Sequence, residues 1–422
     1  MKIRVKKIDF SELENIKEPK RRKPLKPNIL LKVLIKVLSF ILLKGVKFKY
    51  EKINMEKTNG ESALVLMNHS SFVDLQIASQ ILWPKSFNIV CTTDGFVGMS
   101  LLMRLIGCIP TKKFISDISL ISDIKYALKK NNCSVLMYPE AGYSLDGRAT
   151  VLPRRLGVLL KRLDVPVIMI STYGAYARQP LYNLLKLRKV NVSAKAECIL
   201  SREEIKQKSV DELDDILQKA FTFDYFLWQQ QNNVKITEKD RAEGLERILY
   251  KCDFCGKEGK MKGEGTKIKC NSCGRIHTLN EIGFLEAKNG KTKFSHIPDW
   301  IDWQRQEVQK EILSNEYRLE SKVKIFALKG YKALYEIGSG ELLHTVNGFL
   351  LKGCSGKLEF TIPPTAYYTL NADFYWYQIG DIICLENEGV LYYCVIEDNV
   401  SVTKARIATE EIYKLNKKEK TS

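Results

Sequence analysis

Residues 63–74 read Ala-Leu-Val-Leu-Met-Asn-His-Ser-Ser-Phe-Val-Asp. The run 63–67 is apolar without a break and too short for a helix, which predicts a strand buried on both faces, as in a parallel sheet. His69 and Asp74 come directly after it, with four residues between them. A histidine at a strand end is exposed where chemistry can reach it. Histidine titrates near neutrality and can take a proton from a hydroxyl. A carboxylate beside it fixes its tautomer and stabilises the imidazolium. The chain has only four histidines. By itself, a His and an Asp at this spacing is also a common accident.

Outward from that stretch, residues 62–200 alternate strand-like and helical runs. The segments 87–91, 134–138 and 166–170 read as strands; 118–130 and 154–163 read as helices. Such alternation predicts an α/β domain with a mixed sheet and covering helices. A helix over 202–219 opens on the capping pattern Ser201-Arg202-Glu203-Glu204. The polar stretch 229–233 reads as the exit of this domain.

Three further segments join the first. Gly107-Cys108-Ile109-Pro110-Thr111-Lys112-Lys113 comes next, then Met137-Tyr138-Pro139-Glu140-Ala141-Gly142-Tyr143-Ser144, then Val165-Pro166-Val167-Ile168-Met169-Ile170. Together the four resemble the blocks of the glycerolipid (1-acyl-glycerol-3-phosphate or lysophospholipid) acyltransferase family, over roughly residues 30–230. The resemblance implies His69 as general base on an acceptor hydroxyl and Asp74 as its orienting acid. The hydroxyl would attack an acyl thioester with no acyl-enzyme formed. It further implies substrate-binding residues in the second and third blocks, Gly107, Pro139, Glu140 and Gly142, with Glu140 shaping the acceptor site; Lys112, Lys113 and Arg148 are read as further substrate-binding residues. Oxyanion donors are expected near Gly142 or the basic loop.

Two departures stand out. The second block ends on Lys113 in place of the family's arginine, and the third has Ala141, Gly142 and Tyr143 where an arginine usually comes after the glutamate. Arginine binds phosphate through a planar fork, lysine as a mobile point charge. Arg148, Arg154 and Arg155 either compensate or form a solvated basic loop. Acyl transfer is therefore the firmer implication, and the acceptor is either a phosphate-bearing lysolipid or a lyso-aminolipid without phosphate.

The chain has 422 residues, a formal net charge of +18, 45% hydrophobic and 27% charged residues. That length predicts two or three domains. Residues 1–50 hold fifteen Lys or Arg against four Asp or Glu, giving +11 in that segment. A basic end of this kind seeks nucleic acid or an anionic membrane. Residues 28–43 favour the membrane. Lys32, Lys36 and Ser39 form one polar stripe of a helix whose other faces are Leu, Ile, Val and Phe. The run is short for a spanning helix and carries two lysines. An interfacial helix over 28–45 with its lysines toward lipid phosphates fits better; a helix packed on the catalytic sheet is the alternative. Lys20, Arg21, Arg22, Lys23 and Lys26 would add about 1 kcal/mol each on an anionic leaflet. No small-residue cleavage site comes after the run. Eleven cysteines, without an export signal, fit a reducing cytosol. The expected location is the cytoplasmic face of a membrane, peripherally bound.

Cys252-Asp-Phe-Cys255 and Cys270-Asn-Ser-Cys273 are two Cys-x-x-Cys knuckles fourteen residues apart, each with a glycine directly after it (Gly256, Gly274). Four thiolates at this spacing suit tetrahedral zinc in a closed, structural site. A module over 248–283 is too small for an apolar core, and the metal would supply its stability. His277 is surplus to the ligand count and expected at the surface or in packing. Lys257, Lys260, Lys262, Lys267 and Lys269 make the module basic, but no aromatic platform for nucleic acid alternates with them. A ribbon placed after the acyltransferase blocks resembles a bacterial subgroup of the family.

A connecting helix over 298–320 is expected, anchored by Trp300, Ile301, Trp303, Val308 and Ile312. Residues 321–416 read as strand-rich with a terminal helix from about 402. Asn347-Gly348 between apolar runs signals a hairpin, and Tyr367, Tyr368, Phe374, Tyr375, Trp376, Tyr377, Tyr392 and Tyr393 suit strands. Several antiparallel strands closed by one helix resemble a pleckstrin-homology-like barrel. The expected organisation is a basic segment 1–27, an acyltransferase domain 28–235, the ribbon, the connecting helix and the β-rich domain. The expected function is transfer of a fatty acyl group from acyl-coenzyme A or an acyl carrier protein to a lysophospholipid-type acceptor at an anionic membrane, with nucleic acid not a partner. The alternative is a catalytically impaired acyltransferase fold serving as a zinc-ribbon interaction protein.

Overall fold

The computed structural model describes residues 3–112, 118–140, 142–153, 155–398 and 401–418. The chain divides into two units, residues 20–180 with 186–225, and residues 1–19 and 181–185 with 226–422.

In the first unit, helix α1 (Ile29–Lys44) precedes a seven-stranded mixed sheet. Its strands are β1 (Lys49–Ile53), β2 (Leu64–Met67), β3 (Phe87–Thr92), β4 (Cys108–Thr111), β5 (Ser134–Met137), β6 (Val167–Tyr173) and β7 (Ser193–Leu200). The spatial order is β1-β7-β6-β2-β5-β3-β4. Neighbours from β6 through β4 run parallel, β7 is antiparallel to β6, and β1 is parallel to β7. β2 is central and buried along its length, as its unbroken apolar run requires. The unit also holds helices α2 (Asp74–Leu82), α3 (Ser100–Leu105), α4 (Ile118–Lys129), α5 (Leu156–Leu163), α6 (Arg202–Gln207) and α7 (Val210–Phe221), besides a single turn at Ala175–Arg178. Leu64, Leu66, Val135, Met137, Val167 and Met169 form one core cluster with Ile124, Leu160, Leu213 and Phe221 from α4, α5 and α7.

The helix expected over 202–219 is two. Lys208 turns extended, and Ser209 caps a second helix with Glu212 in the same reciprocal arrangement that Ser201 and Glu204 make. The lysine stripe of α1 faces inward. Lys32 Nζ donates to Pro84 O at 2.9 Å and Ser86 Oγ at 3.1 Å, Lys36 bonds Gln80, and Ser39 is buried. Both ammonium groups lie over the Trp83 ring. The apolar faces of α1 are the exposed ones, up to 76% at Leu30. The expectation that these lysines reach lipid phosphates is thus corrected: ammonium groups are satisfied by carbonyl, hydroxyl and amide oxygens of the domain. Residues 20–28 are likewise no free arm, since Arg21 pairs with the buried Asp123 at 2.9 Å and Leu25 O accepts from Asn88.

In the second unit, a short strand Val5–Lys7 pairs in parallel with β13 (Leu334–Thr345), so the segment expected as a separate basic end is built into the β-rich sheet. The ribbon strands β8 (Met261–Glu264), β9 (Lys267–Cys270), β10 (Ile276–Leu279) and β11 (Leu285–Ala287) form an antiparallel sheet in the order β11-β10-β9-β8. Helix α8 (Ile297–Leu313) comes next, with Trp300 fully buried and its Nε1 donating to Lys251 O at 3.0 Å. Then come β12 (Arg318–Leu328), β13, β14 (Gly348–Gly353), β15 (Leu358–Ile362), β16 (Asn371–Trp376), β17 (Gly380–Asn387), β18 (Val390–Ile396) and α9 (Val402–Lys418). They are ordered β15-β14-β13-β12-β18-β17-β16, so the first strand of this series pairs with its last. The β13–β14 hairpin turns one residue earlier than Asn347-Gly348 suggests: Thr345 pairs with Gly348, and Val346-Asn347 are the loop. Gly348 has φ +102, and a Cβ there would meet Ile362 O at 2.0 Å, so glycine is fixed by the close approach of β15 rather than by the turn centre.

Candidate active site and metal centre

The register of three strands assembles the site. Leu66 pairs with Met137 and Met67 with Ile170, so the loop after β2 meets the loop after β5 and the end of β6. This is the carboxyl edge of the parallel strands, where open α/β sheets hold their ligands. Asn68 fastens the edge by accepting from Thr172 N at 2.9 Å and Thr172 Oγ1 at 3.2 Å.

His69 and Asp74 meet. Nδ1 of His69 lies 3.0 Å from Asp74 Oδ2, with the imidazole 22% exposed and the carboxylate 1% exposed. The same oxygen accepts from Ser70 N at 2.8 Å and Ser71 N at 3.1 Å. Asp74 is also the first residue of α2, where a helix N-terminus favours negative charge. The carboxylate is thereby aimed at the ring. With Nδ1 engaged, Nε2 is the ring nitrogen left to handle a substrate proton.

Glu140 is buried and acts as a bracket. Oε2 accepts from His69 N at 2.9 Å, and Oε1 accepts from Thr150 N at 2.8 Å and Thr150 Oγ1 at 3.3 Å. His69 O accepts from Ser144 N at 3.0 Å. Both main-chain groups of His69 are thus tied to the segment beyond β5. Pro139 is buried beside this bracket, and Gly142 lies on the same segment with open space where a Cβ would be.

Sequence reasoning missed the aromatic surroundings of the imidazole. Tyr138 stacks on His69 with ring centroids 4.2 Å apart and Tyr143 with centroids 4.0 Å apart, each within 30° of parallel. Phe72, 54% exposed, meets Tyr143 edge-on at 5.7 Å. Burial, with Asp74 nearby, pushes the Tyr138 phenol well above its usual range, so it stays protonated. The signal in the sequence was the two tyrosines flanking Pro139-Glu140, but their approach to His69 depends on strand register.

The remaining sequence-predicted residues are spread wider. Arg148 is engaged by Asp146, with Nε and one terminal nitrogen each 2.9 Å from Oδ2. Lys112 comes just after β4 at the same sheet edge, but three strands from β2, roughly 14 Å at the usual strand spacing. Gly107 precedes β4 and so lies at the opposite edge. Its φ is +93, its carbonyl accepts from Asn88 Nδ2 at 2.8 Å, and a Cβ would meet Pro27 at 2.7 Å. It is a turn residue, and the structure does not bring it to His69. Arg155 is exposed at the start of α5. Lys113 and Arg154 lie outside the described residues.

In the second unit, the sulfur atoms of Cys252, Cys255, Cys270 and Cys273 all lie within 4.8 Å of one another. Cys252 and Cys273 are 3.7 Å apart and Cys255 and Cys270 are 3.8 Å apart. A tetrahedron with metal–sulfur bonds of about 2.3 Å has edges of about 3.8 Å, so the donor set fits zinc. His277 is fully buried, donating or accepting across 3.0 Å to Asp253 Oδ1 and lying edge-on to Trp300. It is a packing residue within the ribbon and not a surface one.

Residues 48–172 match the model of the Acyltransferase family. None of the curated proteins matches the chain. Among solved structures, the 1-acyl-sn-glycerophosphate (LPA) acyltransferase PlsC from Thermotoga maritima is similar at 15% sequence identity. The similarity covers 45% of this chain and 76% of that one, with a TM-score of 0.36.

Proposed function

We propose that this chain is a membrane-peripheral O-acyltransferase of the 1-acylglycerol-3-phosphate O-acyltransferase type, which moves a fatty acyl group from acyl-coenzyme A or acyl carrier protein to a lysophospholipid-type acceptor. The observation that carries this reading is the His69–Asp74 pair, 3.0 Å apart at the end of a buried parallel strand, inside the stretch that matches the Acyltransferase model. Nε2 of His69 takes the acceptor's hydroxyl proton as the oxygen attacks the thioester carbonyl. The C–S bond breaks, and the leaving thiolate takes up that proton. Asp74 holds the tautomer and faces the imidazolium. Glu140 serves by fixing the backbone of His69. Lys112 and Lys113 are the cations assigned to an acceptor phosphate, and Pro139, Gly142 and Arg148 shape the near wall.

Among the described residues no helix is long and apolar enough to cross a membrane. The exposed apolar faces of α1 support seating on a lipid surface, with anionic lipids the natural partner of the basic chain. The four cysteines would hold a structural zinc, because four protein ligands leave no open position. The serial antiparallel order and terminal helix of the β-rich part support a pleckstrin-homology-like barrel.

The decisive experiment incubates purified protein with labelled long-chain acyl-coenzyme A and a panel of lysolipids, beside His69→Ala. Product lipid from the native chain, reduced at least ~10³-fold in the variant, is the expected result. Undiminished turnover by His69→Ala would end the assignment, and absence of product with every acceptor would favour the scaffold alternative.

A further inference from the structure

We infer that Tyr138 and Tyr143 clamp the two faces of the His69 imidazole, and that Tyr143 keeps water from the base while the acyl thioester is in place. The inference rests on the acyl-transfer reading above for its chemistry, but its geometry stands independently.

Both tyrosine ring centroids lie within 4.2 Å of the imidazole centroid, and both rings lie within 30° of its plane. An imidazole face is too small to hold two such rings at that distance, so the tyrosines occupy opposite faces. Offset stacking of this kind is favourable and fixes ring orientation. Nδ1 is already closed by Asp74. What remains of the imidazole is one edge, which carries Nε2. A proton donor must therefore come in the plane of the ring, between two aromatic walls.

The two walls are not equivalent. Tyr138 is also partly exposed, but it directly continues the buried strand β5, buries its phenol end and leads into buried Pro139 and Glu140. Tyr143 sits on the loop beyond, partly exposed, braced by the exposed Phe72 and by the bond from Ser144 N to His69 O. Tyr143 is thus the wall facing solvent, and it is a positioning residue.

The need for such a wall comes from the reaction. An acceptor alcohol and water compete for the same base and the same carbonyl. With alcohol, its oxygen bonds to the carbonyl carbon, the C–S bond breaks, the alcohol's proton passes through Nε2 to the thiolate, and an ester and a thiol result. With water the same steps give a fatty acid and a thiol. Excluding water is how an active site suppresses the second outcome. An apolar slot admits a lipid's hydroxyl-bearing end, whose carbons pack on the rings, more readily than unescorted water.

The test compares the full-length native chain, Tyr143→Ala and Tyr143→Phe in two readouts. In the first, labelled acyl-coenzyme A and lysophosphatidic acid are supplied, and free fatty acid is measured against product lipid. The hydrolysis-to-transfer ratio is expected to rise at least tenfold in Tyr143→Ala and to be brought back by Tyr143→Phe, which keeps the ring. In the second, carbethoxylation of His69 by diethylpyrocarbonate is monitored by peptide mass spectrometry without any substrate. Tyr143→Ala is expected to react at least fivefold faster than native protein, and Tyr143→Phe is expected to restore protection. Tyr143→Leu replaces the alanine variant should circular dichroism show it unfolded. A native chain that modifies lipids, with the ratio unmoved by removal of the ring, overturns the inference. So does equal carbethoxylation of native and ring-less protein. Absence of any thioester turnover in the native chain refutes the acyl-transfer reading instead, and the carbethoxylation rates then decide the clamp alone.

Discussion

At the scale of single residues, the site is held by carboxylates that accept from backbone donors. Glu140 offers one oxygen to His69 N and the other to Thr150 N. Glu140→Gln keeps the shape but turns an amide donor against one of those N–H groups, leaving buried donors face to face. The expected loss is about 1–3 kcal/mol in urea unfolding, with a fall in kcat because His69 loses its fixed backbone; unchanged values in both would show the bracket to be dispensable. His344 gives a second residue-scale prediction. Its Nδ1 lies 2.9 Å from the Tyr317 hydroxyl, Phe349 stacks on it, and burial lowers its pKa from 6.5 to about 3. A histidine buried neutral binds fewer protons folded than unfolded between those two values. Its contribution to stability is complete above pH 6.5 and is lost as pH falls toward about 3. Linkage puts the loss at about 2 kcal/mol at pH 5 relative to pH 8. Denaturant unfolding across that range should show the slope in native protein and a shallower one in His344→Gln. Of the residues themselves, His69 and Asp74 were legible because their meeting needs only a short loop. The bond from His69 N to Glu140 and the stacking of Tyr143 were not, because they depend on Leu66 standing beside Met137 across a long stretch of chain.

At the scale of elements, α1 shows where periodicity is informative and where it misleads. The polar stripe of Lys32, Lys36 and Ser39 was readable, but a stripe does not say which side is water. Here the domain supplies oxygen acceptors at Pro84, Ser86 and Gln80, so the stripe turns inward and the apolar faces turn out. Nine large apolar residues between Ile29 and Leu42 are exposed, more than an ordinary soluble surface presents as one patch. The lipid surface proposed above would cover them. Leu34→Asp with Ile41→Asp is therefore expected to reduce sedimentation with phosphatidylglycerol-containing vesicles at least tenfold while leaving the melting temperature nearly unchanged, since exposed substitutions usually move stability by about 0.5 kcal/mol or less. Lys36→Met should do the reverse, lowering stability by roughly 1 kcal/mol through the lost bond to Gln80 and leaving vesicle binding in place. Vesicle binding lost in Lys36→Met alone would restore the lysine-to-phosphate orientation. The other misreadings at this scale are smaller and have local causes: Ser209 recaps a helix that propensity would have continued, and the close packing at Gly348 moves a hairpin by one residue.

At the scale of the whole molecule, the sequence announced its modules but not their membership. Val5–Lys7 pairs with β13 across most of the chain's length, and three residues carry no signal for a partner so distant. The ribbon is the opposite case, because two knuckles fourteen residues apart predict a site that could hold a metal without reference to the rest of the chain. Its place in the second unit makes the last prediction a test of what the metal is for. The sulfur geometry fits a closed tetrahedral site, and Ile268, Leu279 and Leu285 are a small apolar core for four short strands. Stability there should depend on the ion. One zinc per chain is expected by elemental analysis, and none in Cys270→Ser. Loss of the ion by chelation should open residues 248–287 to protease while Trp300, whose ring lies against buried His277, changes its fluorescence. Acyl transfer is expected to persist in freshly chelated protein to a far greater degree than in His69→Ala, because a metal with four thiolate ligands has no position left for substrate. Turnover that vanished and returned in strict proportion to bound zinc, with the fold unchanged, would assign the ion to the reaction.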